Sequence, residues 1–135
     1  MSERNGASSS WRGAGLAVEI WSTYARIRRA VHRLPLPELV DELSRAPDRR
    51  LESAPADLSA AVDRRLTFRD RRPTCLVSAL VLFRLLRRRG QDAELVIGLG
   101  EHAPTQEAHA WVELDGRDVG PAPGRNGHVQ LARFG

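Results

Sequence analysis

The chain has 135 residues, 41 % hydrophobic and 28 % charged, which makes it one ordinary globular domain with room for a single core. No stretch approaches the ~18–20 apolar residues of a membrane span, and residues 1–10 lack the basic start and apolar run of a secretory signal, so a cytoplasmic protein is expected. All 21 basic residues are Arg, which excludes lysine chemistry, and a single Cys excludes an internal disulfide. The net charge of +4 and a pI near 10.8 invite a nucleic-acid reading. The Arg residues are spread over helical segments with no aromatic platform among them, and an acidic protein or peptide partner explains the charge equally well; no nucleic-acid partner is expected.

In chain order, residues 1–12 read as a disordered lead-in. Leu16, Ile20, Tyr24, Ile27 and Val31 recur at three- and four-residue steps and predict a helix over 16–33. The run Leu34-Pro35-Leu36-Pro37 stops it, because each Pro biases its predecessor away from helical angles. A short amphipathic helix over 37–45 follows, then a Pro-containing linker over 46–56. Asp57 is expected to cap a helix to about residue 69, with Leu58, Ala61, Val62 and Leu66 inward. After Pro73, Thr74 is a good cap for the most hydrophobic helix, 75–89, whose last turn carries three Arg before Gly90. The period then turns extended: strands are predicted over 93–99, 108–114 and 117–120, with Asp115-Gly116 as a two-residue hairpin turn. The tail, with Pro121, Pro123, Gly124 and Gly127, is expected to be irregular. Helices followed by an antiparallel sheet give an α+β fold.

Cys75 falls in the first turn of a helix, with Arg71 and Arg72 just upstream. Helix dipole and positive charge both favour a thiolate there. A structural Cys would sit mid-helix among Val77, Leu80 and Val81, yet a buried small hydrophobe stays an open reading. His109 shares one face of its strand with Trp111 and Glu113. A helix-start thiol and an imidazole on a strand packed across it form a nucleophile–base pair; the alternative is a half-buried His bonded to backbone. His32, His102 and His128 read as surface residues. One Cys and four scattered His show no ligand spacing, so no metal and no cofactor are expected.

These residues carry a resemblance. Arg72-Pro-Thr-Cys75-Leu-Val through Arg87-Arg-Arg-Gly90, then Ala93 to Gly98, Ala108-His109-Ala-Trp111-Val-Glu113 and Asp115-Gly116 closely resemble the lasso-peptide leader peptidases, which are transglutaminase-like cysteine proteases. The similarity covers about 56–120, and 34–45 also matches the region before such a core. It implies a transglutaminase-like (papain-like) peptidase core over 56–135, behind an N-terminal helical segment over 13–55. It further implies cleavage of a ribosomally made precursor to remove its leader. Cys75 would be the nucleophile, His109 the general base and acid, and backbone N–H groups at the helix start the oxyanion donors. The implied partners are the leader peptide, a small leader-recognition protein and an ATP-dependent cyclase downstream.

The family's third member is an Asp on the strand after the hairpin. With a two-residue turn, Glu113 faces Asp118, Trp111 faces Gly120 and His109 faces Ala122, beside Pro121, where the family's Asp would fall. Asp118 is the nearest carboxylate on the His109 face and is the triad candidate, although four strand residues put it about 13 Å from His109. Asn126 or a backbone carbonyl are the other candidates for orienting the imidazole. A transglutaminase-like acyl transferase and a non-catalytic leader-binding adaptor are the alternatives. Arg64, Arg65, Arg84, Arg87 and Arg88 are expected to receive an acidic recognition partner, or else Trp11, Trp21 and Tyr24 supply that surface when not simply packed on the core.

Overall fold

The first proline is Pro35, so nothing upstream imposes a helix break. The computed structural model describes residues 2–45, 54–67, 75–100, 108–120 and 128–135, with side chains for 15–45, 54–67, 75–98, 109–120 and 130–135. Helix α1 runs Ser2–Ala30. Residues 2–12, expected as a disordered lead-in, are thus helical, since each residue added to an existing helix gains a backbone bond with no new nucleation. Helix α2 is Leu36–Ser44, with a Pro in its first turn. Helix α3 is Pro55–Leu66. Its N-cap position is Ala54, not Asp57; the proline starts the helix three residues earlier, and Asp57 instead places its carboxylate in the first turn. The expected cap Thr74, the linker residues 46–53 and Arg69 lie outside the described residues.

Helix α4, Cys75–Arg88, is buried nearly all round: Val77, Ala79 to Phe83, Leu85 and Leu86 all lie in the core. Such a helix needs partners on every side, and α4 packs against α1, α2, α3 and the first two strands. Two long-range polar ties fix its neighbours. Glu19 of α1 bridges Arg88 at 2.9 Å and Arg89 at 2.7 Å. Arg84 donates to the Leu43 carbonyl in the last turn of α2 at 3.0 Å, capping an acceptor the helix leaves open. Desolvation, then the nearby Arg26 and Arg88, pull Arg84 below the usual guanidinium range.

The strands are β1 Ala93–Gly100, β2 Ala108–Leu114, β3 Arg117–Gly120 and β4 His128–Phe134, in the order β3-β2-β1-β4 with every pair antiparallel. Asp115 and Gly116 both have positive φ, 53° and 77°, the type I′ turn that Asp-Gly predicts. Strand β4 corrects the expectation of an irregular tail. Its alternation is broken by a bulge: Gln130 pairs with Gly98 and Ala132 with Ile97, leaving Leu131 as an extra, exposed residue.

One face of the sheet, Ala93, Leu95, Ala110 and Val112, joins the helical core, with Ile97, Leu114 and Phe134 packed beside it. Alternation puts Val96, His109, Trp111 and Glu113 on the other face, where Val96, Trp111 and Glu113 are also buried. The architecture is therefore α+β, four helices against a four-stranded antiparallel sheet.

Candidate active site

Cys75 is the first residue of α4 and is half-buried, packed against the core. No acidic side chain occupies the first turn of this helix, so the helix's own residues do not offset its positive dipole end. The N–H groups there lack intrahelical partners, the usual source of donors for a developing oxyanion. The surrounding packing of α1, α2, α3 and the sheet holds α4 in place.

His109 is half-buried near the start of β2, the strand that shares most of α4's contact with the sheet. It pairs with Gly98 of β1, and Gly98 in turn pairs with Gln130 of β4. Gly98 is buried and puts no side chain beside the imidazole on this rung. Ala110 and Val112 point to α4, so His109 starts the opposite face with Trp111 and Glu113.

Asp118 lies on β3 opposite Glu113, as the hairpin turn requires. Beyond it the expected register changes. Gly120 pairs with Val112, not Trp111, because a bulge inserts Val119 as an extra residue. The Asp118 carboxylate accepts the Gly120 N–H at 2.7 Å, and Gly120 has φ of 106°. The side chain thus holds the bulge, and it lines a groove with Ala56, Ser59, Ala60 and Asp63 of α3. Ala122 and Asn126 lie outside the described residues, as do Arg71 and Arg72.

Three of the five arginines expected to receive a partner are used within the chain. Arg88 pairs with Glu19 and Arg84 with the Leu43 carbonyl, while Arg87 lies 5.5 Å over the Phe83 ring and 3.4 Å from Asp92. Arg64 and Arg65 are exposed on α3. Tyr24 packs against the core, as the plainer reading of that residue had it, whereas Trp21 is 37 % exposed.

Sequence reasoning missed the polar network on the His109 face. Glu113, only 3 % exposed, accepts the Trp111 Nε1–H and an Arg133 N–H, each at 2.9 Å. Arg133 also bridges Glu94 at 3.3 Å. The hydrogen bond to Glu113, with the charges of Glu113 and Glu94, outweighs desolvation and holds Arg133 above the usual guanidinium range. This network ties β4 to β1 and β2. Arg133→Ala strands a buried carboxylate and is expected to cost about 2 kcal/mol. Urea unfolding checks this: Arg133→Lys should recover part of the loss, and an unchanged midpoint in Arg133→Ala would refute the tie.

A thiol opening the buried central helix of an α+β domain, and a histidine on a strand against which that helix packs, define a scaffold suited to thiol acyl chemistry. The chain belongs to the transglutaminase-like superfamily, whose family model matches residues 14–131. The superfamily generally comprises cysteine proteases or transferases. The match runs from α1 through β4, farther in both directions than the 56–120 resemblance read from motifs. No curated protein and no solved structure shows significant similarity to the chain. Among the described residues, no helix is long and apolar enough to cross a membrane.

Proposed function

We propose that the protein is a cysteine peptidase with a papain-like catalytic core that removes the leader from a ribosomally made lasso-peptide precursor. The observation that carries the reading is Cys75 as the first residue of the buried central helix in a transglutaminase-like domain. The sequence around it, from Arg72-Pro-Thr-Cys75 to Ala108-His109-Ala-Trp111, supplies the substrate class by resemblance.

In this reading the Cys75 thiolate attacks the scissile carbonyl, and N–H groups of the first turn of α4 stabilise the oxyanion. His109 takes the thiol proton and returns it to the leaving amine; water then hydrolyses the thioester and regenerates the thiol. Because Ala110 and Val112 face α4, the thiol–imidazole pair belongs at the end of β2, not across its middle. Asp118 enters as the candidate third member, orienting His109 at a distance that makes its effect small. A small leader-recognition protein presents the precursor, and a cyclase receives the new N-terminus.

The test is incubation with the precursor encoded beside this chain, with and without the neighbouring small proteins, read by product mass. Two fragments whose masses sum to the precursor plus one water are expected, together with iodoacetamide labelling of Cys75 near neutral pH. An amine-linked product would instead establish the acyl-transferase reading that the superfamily also supports. No product together with a thiol inert to labelling would leave an adaptor.

A further inference from the structure

Helix α1 has two worked faces. Ile20, Thr23 and Ile27 are buried inward, as a helix docked on a core requires. A second stripe, Val18, Trp21, Ala25, Arg28 and His32, follows the same three- and four-residue spacing on the outer side. Of the three large hydrophobic side chains exposed among the described residues, two stand on this stripe: Val18 at 69 % and Trp21 at 37 %. Trp21 meets Tyr24 edge to face, with ring centroids 5.9 Å apart. The two rings, with Ala25, Arg28, Arg29 and His32, line a groove of about 650 Å³. A second hollow of about 660 Å³ adjoins it, sharing Ala25 and Arg29 and adding Arg33.

Among the described residues this face carries an excess of positive charge: the only carboxylate lining either hollow is Glu42, in the second, and it is paired with Arg26. No acidic residue lines the first groove. Arg28, Arg29 and Arg33 make no ion pair among the described residues, whereas Arg26 is paired with Glu42. Glu19 of the same helix is committed to Arg88 and Arg89.

We propose that the outward face of α1, centred on Trp21, Tyr24, Arg28 and Arg29, docks an acidic segment of a partner polypeptide. The aromatic pair takes an apolar side chain, and the guanidinium groups take the carboxylates flanking it, bidentate where geometry allows. A bilayer would need a broad apolar face, but here arginines interrupt the stripe and the surface is concave. The inference makes no use of Cys75 and stands apart from the peptidase reading.

The probe is a fluorescein-labelled synthetic peptide of paired Glu and Leu residues, titrated with the full chain by fluorescence anisotropy. The arms are the same peptide with Lys for Glu, a single-stranded oligonucleotide, and phosphatidylglycerol–phosphatidylcholine vesicles. The chain should bind the acidic peptide and not the Lys version. Arg28→Glu with Arg29→Glu should weaken binding by at least about tenfold, and Trp21→Ala by about fivefold. The same charge reversal on α3, Arg64→Glu with Arg65→Glu, should leave binding within about twofold, which separates local docking from net charge. Circular dichroism and Cys75 labelling should not change in any variant. If the double reversal fails to fold, Arg28→Ala and Arg29→Ala each carry the same expectation at about threefold. No binding of the acidic peptide, equal losses from the α1 and α3 reversals, or preference for the oligonucleotide or vesicles would overturn the proposal.

Discussion

Cys75→Ala should reduce precursor cleavage by at least about 10⁴-fold while costing no more than about 1 kcal/mol of stability. The two effects separate because of where the residue lies. The side chain is half-buried at the edge of the core, so removing one sulfur leaves α4's buried residues, Val77 to Leu86, in place. Chemically nothing else on the first turn can replace a thiolate: Leu76 and Val77 follow it, and Ser78 is one turn on. Asp118→Ala should behave in the opposite way. Its carboxylate holds the Gly120 N–H across the β3 bulge, so its loss should cost about 1–2 kcal/mol, with cleavage falling less than about tenfold. Asp118→Asn keeps an acceptor for Gly120 and should restore most of the stability. Cleavage kinetics and urea titrations on the three variants decide the matter. Equal loss of cleavage from Cys75→Ala and Asp118→Ala would show that Asp118 orients His109 despite four residues of strand between them.

The helices and the first hairpin were legible because their signals are local. Three- and four-residue spacing marks α1, α2 and α3, and the Asp-Gly turn sets both its own positive φ values and the Glu113–Asp118 pairing. Both errors of register come from bulges. A two-residue period cannot announce an extra residue, so Val119 displaced Gly120 by one place, and Leu131 concealed β4 behind a Pro- and Gly-rich approach. Missing β4 hid Arg133, and with it the reason Glu113 can be buried on the same face as His109. The intrachain engagement of three of the five candidate docking arginines was hidden for a related reason. On the sequence Arg84, Arg87 and Arg88 look like a wet basic turn, and only the tertiary packing shows that Leu43, Phe83, Asp92 and Glu19 already occupy them. The helix start at Cys75 was legible because a proline followed by a capping residue type is a local sequence signal; what surrounds His109 depends on strands whose register the sequence does not fix.

Glu19→Ala should be the most destabilising polar substitution in the helical layer, at about 3 kcal/mol. Glu19 is 13 % exposed and holds two guanidinium groups from the end of α4: Arg89, whose side chain is 4 % exposed, and Arg88 at 21 %. Arg89 also donates to the Leu85 carbonyl at 2.9 Å, so it cannot swing out to water without giving up a second bond. Deleting the carboxylate leaves buried positive charge uncompensated, and removing one partner of such a group costs more than the pair itself is worth. For a domain of this size the midpoint of thermal unfolding should drop by roughly 10 °C. Two comparisons isolate the cause. Glu42→Ala breaks the Arg26 pair, whose partners are 51 % and 48 % exposed, and should cost less than about 1 kcal/mol. Glu19→Ala with Arg89→Met replaces the stranded cation by an apolar chain of similar length and should recover much of the loss. A drop below about 2 °C for Glu19→Ala, or one no larger than that of Glu42→Ala, would mean that apolar packing of Ile20 and Ile27 holds α1 on α4 unaided. The consequence reaches the site, because α1 is one of the walls that fix α4, and the first residue of α4 is Cys75.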